Sequence, residues 1–141
     1  MTGPKTIHAT CVALNDRAVL LCGASGRGKS ALGLILMGMG CTLVADDRTL
    51  LERDGAQVMA RCPAPIRGMI EARGIGILAA KHVDRAAVVL VADLDQLSDE
   101  RLPHRRTTTL LGCEIPLIAG IDGPHFGAAM IQILKSGWSV T

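Results

Sequence analysis

Aromatic residues are nearly missing from this 141-residue chain: it has no tyrosine, and Phe126 and Trp138 are its only phenylalanine and tryptophan. With 49% of its residues hydrophobic, the core must be aliphatic, built from Ala, Val, Leu, Ile and Met. The net charge of +2 is small, and no basic stripe with interleaved aromatics marks a nucleic-acid reader, so no nucleic-acid partner is expected. Long hydrophobic runs are missing too. No stretch approaches the roughly 20 apolar residues that span a bilayer, and no apolar run follows a basic start as in a signal peptide. No membrane association is expected. None of the five cysteines (Cys11, Cys22, Cys41, Cys62, Cys113) forms a C-x-x-C pair. An odd, scattered set excludes a disulfide frame or zinc site and fits reduced core thiols of a cytoplasmic protein. Repeats and low-complexity tracts are absent. The length suits one domain over residues 1–141, large enough for a real core.

What the chain does have is Gly23-Ala24-Ser25-Gly26-Arg27-Gly28-Lys29-Ser30. This is G-x-x-x-x-G-K-S, the phosphate-binding P-loop. The glycines allow positive φ and close approach to a ligand. Successive backbone N–H groups then point inward at a phosphate. Lys29 can reach the β- and γ-phosphates of ATP, and the Ser30 hydroxyl can ligate Mg²⁺. The flanks fit. Ala18 to Cys22 suits a buried strand, and Ala31 to Met37 is rich in helix formers, with Gly38 or Gly40 as the stop.

Before the loop, Ile7 to Leu14 predicts a strand that forms a hairpin with the next one around Asn15-Asp16-Arg17. His8 sits on it and, on pattern alone, is an ordinary structural histidine. After the loop, Thr42 to Asp47 is an apolar strand ending in Asp46 and Asp47. Acids placed there can hold Mg²⁺ or take a proton from an attacking hydroxyl. Neighbours on an extended strand point to opposite faces, so both can act only if the strand has ended. Ala86 to Ala92 predicts a central strand ending at Asp93, with Asp95 soon after. This is a rival position for a metal-side acid, and spacing alone does not rank the two.

Arg53-Asp54-Gly55 predicts a hairpin between Arg48–Glu52 and Gln57–Arg61, and Cys62 to Pro65 a loop. In Ile70 to Ile77 two glycines lie two apart, which suggests unusual backbone or a ligand close by. Glu71 and Arg73 there either contact metal or phosphate or form a surface ion pair. Gln96 to Thr108 predicts a polar loop carrying Arg101, His104, Arg105 and Arg106, able to grip phosphates or a protein substrate. Thr109–Cys113 and Ile115–Ala119 predict short strands around Gly112. Residues 124–136 predict an amphipathic packing helix, with Pro124 in its first turn and Gly137 as its stop.

Taken in order, Ile-His on a strand, the P-loop, Leu-Val-Ala-Asp-Asp, and Glu-x-Arg-Gly-x-Gly-Ile resemble the C-terminal kinase domain of HPr kinase/phosphorylase. The resemblance runs from about Ile7 to about Ala119 and is closest to short alphaproteobacterial versions. It implies an α/β P-loop fold of the PEP-carboxykinase-like type, a mixed sheet with flanking helices. It also implies an ATP- and Mg²⁺-dependent kinase that phosphorylates a serine of the phosphocarrier HPr of a phosphotransferase system, and can remove that phosphate by phosphorolysis. On the matched motifs, Gly23 to Ser30 would bind the phosphates. Asp46 and Asp47 would supply the base, and in reverse the acid. His8 matches the family's active-site histidine. Glu71 matches its metal- or phosphate-side glutamate, with Arg73 beside it, so Ser30, Asp47 and Glu71 are the expected metal side. Arg101 matches an arginine of the mobile substrate loop. A homo-oligomer is implied as well. The chain has Gly123-Pro124-His125 where the long relatives have Pro-Gly-Arg, and the expectation from the resemblance is a form without their N-terminal domain and with a clipped C-terminal helical extension. Two other readings remain on the residues alone. One is a regulatory P-loop module without phosphoryl transfer, against which Asp46, Asp47 and Glu71 argue. The other is a small-molecule kinase.

Overall fold

The computed structural model describes residues 3–139. Strands β1 (Lys5–Leu14) and β2 (Arg17–Cys22) form the expected hairpin, with Asn15 and Asp16 both at positive φ in its turn. The P-loop follows, then helix α1 (Lys29–Gly38) and strand β3 (Thr42–Ala45). β4 (Arg48–Asp54) and β5 (Gln57–Arg61) pair through the turn at Gly55. A one-turn 3₁₀ helix (Ala64–Ile66) leads to β6 (Met69–Ala72) and β7 (Gly76–Ala79), which make a separate two-stranded sheet. β8 (Arg85–Leu97), β9 (Arg106–Leu110), β10 (Cys113–Gly120) and helix α2 (Phe126–Ser136) complete the chain.

Three expected boundaries are corrected. β8 does not stop at Asp93 but runs on to Leu97, because β10 pairs alongside it as far as Gly120↔Leu97. The polar loop is correspondingly shorter: Arg106, Thr107 and Thr108 belong to β9, where β10 supplies their ladder partners. Pro124 lies ahead of α2 rather than within its first turn.

The large sheet is mixed, in the order β2-β1-β4-β5-β8-β10-β9, with β3 on β1 and a further β2–β8 pairing. That last pairing closes β1, β4, β5, β8 and β2 into a ring. β2, β8 and β10 run parallel, so the segments that leave their carboxyl ends gather on one rim, where open α/β sheets bind ligands. From Ala18 to Cys22, β2 is apolar because both its faces are covered. Ala18 and Leu20 face an interior where small residues such as Ala9, Cys11, Ala13 and Ala60 pack with Val44, Leu51 and Val58. Val19 and Leu21 face the second cluster, where Leu36 of α1 and Met130 and Leu134 of α2 pack. Both helices thus cover the same face. α1 approaches β1 closely: a Cβ on Gly33 would lie 3.0 Å from Cγ2 of Thr10.

Candidate active site

The P-loop joins the carboxyl end of β2 to the start of α1. Gly23, Gly26 and Gly28 hold φ of 148°, 86° and 86°, conformations that side-chain-bearing residues rarely adopt. A Cβ on Gly23 would also crowd Cβ of Leu94 at 3.3 Å, so the loop begins pressed against β8. α1 has no acid in its first turn and no side-chain cap. Its first N–H groups, which no helical carbonyl can reach, and its positive dipole end therefore face the loop. Lys29 is buried, and its Nζ donates to the carbonyls of Gly23 (2.7 Å) and Ala24 (3.3 Å). Together the glycines, Lys29 and the helix end form a cradle suited to a phosphate chain. Ser25, Gly26 and Arg27 form its exposed crest.

Asp46 is the hub beside this cradle. It is 8% exposed and accepts three hydrogen bonds. The Ser30 hydroxyl donates to Oδ1 at 2.6 Å, the Thr10 hydroxyl donates to Oδ1 at 2.8 Å, and the Glu71 N–H donates to Oδ2 at 3.0 Å. Three separate segments, β1, α1 and β6, thereby converge on one carboxylate just past the end of β3. Thr10 also accepts the N–H of Asp47 at 3.2 Å. The chain leaves β3 after Ala45, and Asp47 adopts a φ of 67°. The strand has ended, as joint use of the two acids requires. Asp46 turns inward to Ser30, and Asp47 is exposed.

His8 reaches the same edge. It is exposed and opposite Arg48 in the β1–β4 ladder, and the next residue, Ala9, donates its N–H to the Asp47 carbonyl at 3.1 Å. Glu71 joins the site through its backbone, while its side chain and that of Arg73 are exposed and make no ion pair among the described residues. Arg101 is exposed in the loop between β8 and β9 and has no hydrogen-bond or ion-pair partner among the described residues. Two of its neighbours are engaged elsewhere. Arg105 donates to the Ser139 carbonyl and lies 5.0 Å over the Trp138 ring, and Arg106 donates to Gln96.

The rival acids divide differently. Asp93 accepts the N–H of Asp95, and Asp95 accepts from Ala24 and Arg27 of the P-loop. Neither touches Ser30. Sequence reasoning missed Thr10, whose one signal is a hydroxyl in the middle of an apolar strand, and missed that Asp95 contacts the loop.

The hard oxygen donors of Ser30 and Asp46 fit Mg²⁺, which prefers one or two carboxylates completed by phosphates and water. Among the described residues no three His, Cys, Asp or Glu side chains converge as a cage of their own. All five cysteines are free. Burial is the main cause that pushes the thiol of Cys22, just ahead of the loop, up to about 11, with Asp93 adding to it and Lys29 opposing.

Comparison with known proteins agrees with this geometry. The family model described as the HPr Serine kinase C-terminal domain matches residues 1–118. HPr kinase/phosphorylase of Alkaliphilus metalliredigens is 40% identical over 96 residues, covering 67% of this chain and 31% of that protein. The Burkholderia lata protein of the same name is 36% identical over 122 residues, covering 78% of this chain and 38% of its own. The chain thus spans well under half the length of these curated relatives. The solved structure of the Hpr(Ser) kinase/phosphatase from Coxiella burnetii superposes with a TM-score of 0.75 at 28% identity, over 93% of this chain and 88% of that one. The fold is therefore the P-loop α/β fold of these kinases, and the chain belongs to the HPr serine kinase C-terminal domain family.

Proposed function

We propose that residues 1–141 form a catalytic domain that transfers the γ-phosphoryl group of ATP to a serine of an HPr-type phosphocarrier protein. The observation that carries this reading is Asp46, bonded to the P-loop Ser30 with Asp47 exposed beside it. Lys29 and the α1 N-terminus neutralise the phosphates. When bound, Mg²⁺ would be held by Ser30 and the Asp46 side of the site and would offset phosphate charge. Asp47 accepts the proton of the serine hydroxyl as its oxygen bonds to the γ-phosphorus. The bond from that phosphorus to the β,γ-bridging oxygen breaks, and ADP leaves with the electron pair. His8 would support this proton transfer, and Glu71, whose N–H holds Oδ2 of Asp46, would act with Arg73 on the metal or phosphate side. Arg101 lies in the loop that would meet the protein substrate. In the reverse sense inorganic phosphate attacks phosphoserine, Asp47 returns the proton to the serine oxygen, and pyrophosphate is released. Free thiols fit a cytoplasmic setting. The exposed Ile75 and Ile77 of the β6–β7 hairpin support a homo-oligomer.

The test is transfer itself. With Mg²⁺, ATP and an HPr from the same cell, mass spectrometry should find phosphoserine on HPr, and Lys29→Ala should abolish it. ATP binding without transfer to HPr would favour a regulatory module or another substrate. An unimpaired Lys29→Ala enzyme would overturn the P-loop assignment.

A further inference from the structure

Asp95 lies outside the P-loop and outside the Asp46 hub, yet one of its oxygens holds the loop at two points. Oδ1 accepts the N–H of Ala24 at 3.0 Å and Nε–H of Arg27 at 3.2 Å. These two residues bracket the first turn of the loop, which is itself closed by the Arg27 N–H on the Ala24 carbonyl at 3.2 Å. Asp95 is in turn fixed. Its own N–H is held by the Asp93 carboxylate at 3.0 Å. Asp93 pairs with Cys22 of β2, the residue before the loop, and β8 is locked to β10 on its other edge. The loop carries three glycines at positive φ, so it is costly to order and gains from an external tie. An exposed ion pair by itself adds little. The value of this one is that a single acceptor sets both the backbone start of the loop and the direction of Arg27.

We propose that Asp95 is a positioning residue that preorganises the phosphate cradle and holds Arg27 at its flank, which deepens the nucleotide-binding reading and rests on it. Asp95→Ala should raise the Kd for Mg·ATP about tenfold, and should raise it by a similar factor for pyrophosphate, which has no base or sugar. Asp95→Asn keeps an oxygen acceptor for Ala24 and should recover part of the loss. In transfer assays the change should fall on KM for ATP more than on kcat. Arg27→Ala and Asp95→Ala combined should weaken binding by less than the product of the single effects. Calorimetric titration of the full chain with Mg·ATP and with pyrophosphate measures this, alongside thermal midpoints to show that the variants fold. Asp95→Ala binding both ligands as tightly as the wild type, or more tightly, overturns the proposal. So does a loss confined to ATP. If the wild type binds neither ligand while Lys29→Ala behaves identically, the nucleotide reading beneath the proposal falls as well.

Discussion

Thr10 shows how much can rest on one hydroxyl. It is fully buried, donates to Asp46 and accepts from the Asp47 N–H, so it fixes the angle between two adjacent acids that an extended strand would point apart. Thr10→Val keeps the shape nearly constant but leaves the Asp47 amide without this acceptor and Asp46 with one donor fewer. Leaving buried polar groups unpaired costs about 1–3 kcal/mol. The urea midpoint should fall accordingly and phosphoryl transfer should slow. A variant with wild-type stability and rate would show that Ser30 and the Glu71 amide hold Asp46 on their own. Asp46 and Asp47 were legible because acids at the end of an apolar strand downstream of a P-loop have a known use. Thr10 was not, because threonine is an ordinary strand residue and its partners lie 36 and 37 positions away. Which acid turns inward was hidden for the same reason: it depends on the Ser30 and Glu71 contacts, not on the Asp-Asp pair.

Among the elements, α1 and β8 decide the geometry. α1 must sit close to β1 for Ser30 to reach Asp46, and Gly33 makes that approach possible: even a bare Cβ there would lie 3.0 Å from Thr10. Gly33→Val should force the helix outward. Overpacking of this kind costs about 1–3 kcal/mol, so chemical denaturation should register a loss of that size together with weaker ATP binding. An unchanged midpoint would mean that the helix shifts without strain. α1, β2 and the β4–β5 hairpin were legible from local patterns, the P-loop flanks and the Asp-Gly turn. The length of β8 was not. Its last residues, Asp95, Gln96 and Leu97, are polar or exposed, and the strand resumes pairing with β10 only at Gly120↔Leu97, across a register shift that passes over Asp95 and Gln96. Strand pairing of this range leaves no local signature, and it is what carries Asp95 to the P-loop.

For the whole molecule, a ring of strands with an interior of small and aliphatic residues and one helix-covered face explains how so few aromatics suffice. It also buries thiols. Cys22 is pushed from the usual value near 9 up to about 11 by burial, and Cys11, Cys41 and Cys62 are raised by the same cause. Above the unfolded value the unfolded chain loses these protons while the folded chain retains them. Stability should therefore hold up to about pH 9 and decline from there to about pH 11. Chemical denaturation across that range should show the decline, and substitution of Cys11 and Cys22 by serine or alanine should flatten it. A flat wild-type profile would contradict the assignment. The central claim about this molecule is the division of labour at the end of β3, with Asp46 turned to Ser30 and Asp47 left free to take the proton. The most direct test is single-turnover phosphorylation of HPr by Asp47→Asn, with ATP affinity measured on the same preparation. Transfer should fall by about 10²–10⁴, the usual loss for a missing general base, while the Kd for Mg·ATP stays within about twofold. Transfer at the wild-type rate, or loss of ATP binding in step with transfer, would contradict it.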